Sequence, residues 1–121
     1  MTLEEYNRFC EGLIATSHVV QWGGAHVWKV GGKVFAVGGW GDSEALAVTF
    51  KVSPLSFDIL KEQPGLRPAP YLASRGMKWI QHYDAPGLDD EALRAYIEES
   101  HRLVASGLSK TKQRDLGLLA D

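Results

Sequence analysis

The residues in this chain with the most chemistry to offer are four histidines, one cysteine and a single basic, acid-free stretch. His18, His26, His82 and His101 show no pairing at metal-ligand spacing, and Cys10 alone cannot complete a zinc site. His82 reads as a surface or rim residue. Ser109 and Lys112 match Ser-x-x-Lys, but the accompanying motifs of that enzyme class are missing, so they read as a helix cap followed by surface lysines. The glycine-rich "VGGWGDS" lacks both nucleotide-loop patterns and runs into a strand, which makes it a turn. Asp89, Asp90, Glu91, Glu98 and Glu99 form an acidic group whose simplest role is helix-start electrostatics and a solvated face. No catalytic residue, metal or cofactor is expected.

The stretch "LRPAPYLASRGMKWIQ", residues 66–81, is different. Arg67, Arg75 and Lys78 give residues 65–83 a local charge of +3, and Tyr71 and Trp79 are interleaved with them. Cations of this kind neutralise phosphates, while aromatic rings stack on bases. Lys110, Lys112 and Arg114 near the C-terminus extend the candidate patch. A structural role competes with this one. The prolines and tyrosine can cap the sheet, Trp79 can be core, and Arg67 can pair with Glu62 or Asp58.

These residues have to be positioned by a small set of elements. Thr2 and Glu5 form a capping-box pattern, and Leu3, Tyr6, Phe9, Cys10, Leu13 and Ile14 recur at helical spacing, which predicts a helix over about residues 3–15. Four β-rich runs follow: "HVVQW", "AHVWKV", "KVFAVGG" and "EALAVTFKV". Gly23-Gly24 and Gly31-Gly32 stand where two-residue hairpin turns are expected. Ser53 caps a short helix with Pro54 at its first position and Pro64-Gly65 as its stop. Residues 67–70 are extended, and "MKWIQHY" is the last strand. Asp89 or Asp90 caps the longest helix, whose inner face carries Leu93, Tyr96, Ile97, Ser100 and Val104 and which ends near Gly107. "SKTKQRDLGLL" is either a short helix or a fraying tail. The order predicts a single α+β domain over residues 1–121. It is a two-layer sandwich with a five-stranded antiparallel sheet, its helices mainly on one face.

At 121 residues and 45% apolar content the chain suits one core. Thirteen basic and fifteen acidic residues give a net charge of −2, so nucleic-acid binding depends on a local patch. One cysteine, no signal-peptide pattern and no membrane-length apolar run point to the cytoplasm.

The segment "LAVTFKVSPLSFDILKEQPGLRPAPYLASRGMKWI" resembles the signature of the MmcQ/YjbR family of small bacterial proteins. That pattern runs from an apolar strand and lysine through a Ser-Pro helix start and a helix ending near "QPG". It continues to an Arg-Pro-x-x-Tyr-Leu-like stretch and a Trp-containing strand. Asp84–Leu93, Ser100–Val104 and Gly107–Arg114 match its later parts. "LSKTK" departs from it by lacking a proline after the leucine, and His101 stands at a usually aromatic position. The resemblance implies a CyaY-like or secretion-chaperone-like sandwich and a DNA-binding role through a double-wing motif. Binding of DNA is expected to be weak and salt-sensitive. The alternative is a protein-interaction or chaperone-like adaptor, or a homodimer, using an open sheet face that exposes Trp28 or Trp79.

Overall fold

A computed structural model of the chain describes residues 1–40, 46–70, 72 and 77–119. Helix α1 spans Leu3–Glu11 and begins with the expected capping box: the Thr2 hydroxyl accepts from the Glu5 N–H, and the Glu5 carboxylate accepts from the Thr2 N–H. It stops short of residue 15 because Gly12 ends it and Ala15 turns the chain at a φ of 61°. Strands β1 (Thr16–Gln21), β2 (Ala25–Val30), β3 (Lys33–Gly38) and β4 (Val48–Lys51) follow. After them come α2 (Pro54–Leu60), β5 (Leu66–Pro68), β6 (Trp79–His82), α3 (Asp90–Ser106) and α4 (Lys110–Asp115).

The six strands form one sheet in the order β1-β2-β3-β4-β6-β5, with every pairing antiparallel. The sheet therefore has one strand more than the expected five. The addition is β5, three residues long and paired with β6 at the sheet edge. An edge is where a strand tolerates a proline, since Pro68 has no N–H to offer a ladder. Composition dominated by proline and a cation disguises such a strand in the sequence.

The β2–β3 turn is the expected two-residue one, with Gly31 and Gly32 at φ 57° and 86°. The β1–β2 turn uses three residues instead of two. Trp22, Gly23 and Gly24 all adopt positive φ between Gln21 and its partner Ala25. A bulge interrupts β2–β3: Trp28 faces Ala36 while Lys29 faces Val34, which leaves Phe35 as the extra residue. Phe35 and Ala36 consequently both enter the core under the helices. Phe35 and Val37, two apart in sequence, therefore lie on opposite faces.

The main core lies between the sheet and the helices. Tyr6 and Cys10 of α1, Phe57 and Leu60 of α2, and Leu93, Ile97 and Val104 of α3 meet Trp28, Val30, Phe35, Phe50 and Ile80 there. Burying each large apolar side chain contributes about 2 kcal/mol. The other face carries a smaller cluster of Ala25, Val27 and Val37, packed by Val19, Val34 and Trp40. Ser109 accepts from the Lys112 N–H as N-cap of α4, which resolves the C-terminal segment as a short helix.

Candidate nucleic-acid interface

Arg67, Tyr71, Arg75, Lys78, Trp79, Lys110, Lys112 and Arg114 are placed differently by the fold. Tyr71 and Arg75 lie outside the described residues. Arg67 is half-buried, and its Nε donates to Gln81 Oε1 at 2.7 Å. Its guanidinium carbon stands 4.4 Å from the Tyr83 ring centroid. It pairs with neither Glu62 nor Asp58; the Asp58 carboxylate takes Lys61 instead. Trp79 is 5% exposed, so its ring packs rather than presenting itself to solvent. Lys78 is exposed, with its Nζ 4.8 Å from the Phe57 ring centroid. Lys110, Lys112 and Arg114 are exposed on α4.

The open-face expectation changes with this geometry. Trp28, also 5% exposed, lies under the helices, where its Nε1 donates to Asn7 Oδ1 at 2.9 Å. On the opposite face Val37, Thr49 and Gln81 are fully buried, so that face is covered through its middle. The exposed tryptophan is Trp22, at 52%, in the β1–β2 turn.

Strand pairing also joins two histidines that sequence spacing keeps apart. His18 Nε2 and His26 Nδ1 stand 3.0 Å apart across β1 and β2. Among the described residues, no group of three or more His, Cys, Asp or Glu side chains could hold a metal ion.

The distribution of charge is the larger feature. None of the six strands contains an acidic residue, while they carry Lys29, Lys33, Lys51 and Arg67. The register gathers cations at one end of the sheet. Lys33 pairs with Val30, Lys29 with Val34, and Lys51 with Trp79, next to Lys78. The α4 segment reaches the same end, because a Cβ on Gly31 would meet Leu108 Cδ1 at 2.6 Å and Leu116 Cδ1 at 3.1 Å. Lys110, Lys112 and Arg114 are thereby added to the sheet cations, together with the one carboxylate of α4, Asp115.

The carboxylates of the helix starts stand at the opposite end. His82 leads from β6 to α3, with its Nε2 3.2 Å from the Leu88 carbonyl oxygen. Asp89 then caps the helix, and Asp90 and Glu91 fill its first turn. The start of α1, with Glu4 and Glu5, adjoins them: the Met1 ammonium lies 2.9 Å from Asp90 Oδ1. Acids at helix N-termini complement the helix dipoles, and the hydrogen bonds from Thr2 hold the Glu5 carboxyl below its usual value. The net charge of −2 thus hides a separation of charge along the strands.

Sequence reasoning missed Lys29, Lys33 and Lys51 as members of the basic end. The available signal was the lack of carboxylates across all six strands. Their convergence needed the register and the docking of α4.

Solved structures share the fold. The chain is similar to Deinococcus radiodurans protein DR2400, with family-model domain DUF419, at a TM-score of 0.84 and 21% identity. That likeness covers 98% of this chain and 89% of the other. A protein from Pseudomonas syringae, structural-genomics target PsR293, is similar at a TM-score of 0.67 and 21% identity, over 86% of this chain and 99% of that one. No curated protein matches. The YjbR family model matches residues 12–103, from the end of α1 into the last turns of α3. That span holds the whole sheet and the helix across it, and the chain belongs to the YjbR family.

Proposed function

We propose that the chain is a non-catalytic DNA-binding or regulatory protein of the cytoplasm that takes the phosphate backbone at the basic end of its sheet. The observation that carries this reading is the charge separation. Lys29, Lys33, Lys51, Lys78, Lys110, Lys112 and Arg114 share one end, and the helix-start carboxylates stand at the other. A duplex presents closely spaced negative charges, which a cluster of cations meets by releasing counterions. The acidic end disfavours the reverse orientation, so the charge pattern also sets how the protein approaches. The site is more distributed than residues 66–81: among the described residues of that segment Lys78 is the exposed cation, and Arg67 supports the structure beside it.

The test is a titration of labelled duplex DNA at several salt concentrations. Affinity should fall with salt, and the triple variant Lys33→Ala, Lys78→Ala, Lys112→Ala should lose up to about three units of slope. Arg94→Ala, near the start of α3, should leave the slope unchanged. Salt-independent binding, or equal slopes for the triple variant and wild type, refutes the reading.

A further inference from the structure

The helix-free face of the sheet holds a cavity of about 260 Å³. Trp22, Trp40, Trp79, Val34, Val37 and Met77 line it. Three of the protein's four tryptophans thus converge on one small apolar space, although they come from three separate parts of the chain. The rings of Trp22 and Trp40 are 5.5 Å apart and tilted by 33°. Trp22 and Met77 keep 52% and 41% of their surface exposed, so the cavity has an aromatic wall and an open rim. Among the described residues the buried indole N–H of Trp79 has no partner, which leaves a donor unused in a residue of the cavity wall.

The neighbouring charges are all of one sign on the strands. By alternation Lys29 shares this face with Val27, and it stands opposite Val34. Lys51 shares it with the buried Thr49 and stands opposite Trp79. Both lysines are half-buried, and neither side chain is ion-paired among the described residues. A flat ring carrying a negative group fits this combination better than a purely apolar ligand does. Aromatic walls accept any base by its π-face, and adjoining cations take the phosphate joined to it.

We propose that this cavity receives one unpaired nucleobase, with Lys29 and Lys51 placed to take its flanking phosphate. The inference rests on the nucleic-acid reading of the basic end and names what that end prefers. A base inside a duplex cannot enter, because its faces are already stacked. The chain should therefore favour single strands. The base can come from a strand or from a free nucleotide, and the chemistry of recognition is the same.

The experiment measures anisotropy of a labelled oligothymidylate of about ten nucleotides, its duplex with oligoadenylate, and competition by thymidine monophosphate. At low salt the single strand should bind about tenfold more tightly than the duplex. Trp22→Ala should erase that preference and Trp22→Phe should keep most of it. Met77→Glu, which sets a carboxylate at the rim, should act like Trp22→Ala and guards against a folding defect at the turn. Removing Lys29 and Lys51 should lower the single-strand salt slope by about 0.7 of a unit each. Competition by the monophosphate at equal or lower concentration than the oligomer assigns the pocket to free nucleotides, and the reverse order assigns it to strands. If wild type binds single strand and duplex equally while its salt slope persists, the pocket is refuted and the basic end stands. Preference retained in both Trp22→Ala and Met77→Glu refutes the pocket as well, and loss of all salt-dependent binding refutes both readings.

Discussion

Ser100 sits fully buried in the middle of α3, and its hydroxyl joins two strands. It donates to the Phe35 carbonyl at 2.7 Å and accepts from the Lys51 N–H at 2.8 Å. The bulge at Phe35 leaves these two backbone groups without ladder partners, and one helix side chain satisfies both. Ser100→Ala would orphan the pair and should cost about 2 kcal/mol, read from the urea midpoint at unchanged m-value. A loss below a few tenths would show that water replaces the hydroxyl. Cys10 tests the opposite quality, isolation. Burial pushes its thiol up to about 12. It should be inert to a disulfide reagent at pH 8 in the native state and react at once in guanidinium. Rapid native labelling would contradict the packing of α1. Residue roles of this kind were legible in the sequence where they are local. The caps at Thr2, Ser53 and Asp89 each need only three neighbouring residues. Ser100 was visible only as an inner-face residue, because its task depends on a bulge 65 residues away.

The β2–β3 hairpin holds two glycines with different reasons for being there. Gly32 has positive φ and open space, whereas Gly31 has positive φ and the side chains of Leu108 and Leu116 against it. Gly32→Ala should therefore cost about 1–2 kcal/mol of backbone strain. Gly31→Ala should cost about 3 kcal/mol, because crowding against the α4 segment adds to the same strain. Equal losses in thermal or urea unfolding would mean that α4 does not dock there. This hairpin was readable because two adjacent glycines between alternating apolar runs have few other uses. The β5 strand was legible only as the extended stretch of residues 67–70, since its prolines carry no strand propensity and it pairs only because β6 lies beside it. The same holds for the cover on the helix-free face. Alternation shows which residues face that way, but Trp40, Leu72 and Met77 reach it from connections whose path no local pattern specifies.

For the whole molecule, the decisive property is where charge goes once the strands are paired. Seven cations at one sheet end and the helix-start acids at the other make a polar molecule out of a nearly neutral chain. Part of this was legible in residues 66–81, with Lys110, Lys112 and Arg114 expected to extend the patch. Lys29, Lys33 and Lys51 were not, because only the strand register and the docking of Leu108 and Leu116 on the β2–β3 turn bring them to the same end. The most direct test is an amide chemical-shift footprint: spectra of ¹⁵N-labelled protein with and without a short duplex at low salt. The account predicts perturbations concentrated at Lys29 to Lys33, Lys51, Lys78 and Lys110 to Arg114, fading as salt is added. Shifts centred instead on the first turns of α1 and α3, or no shifts at low salt, would contradict it.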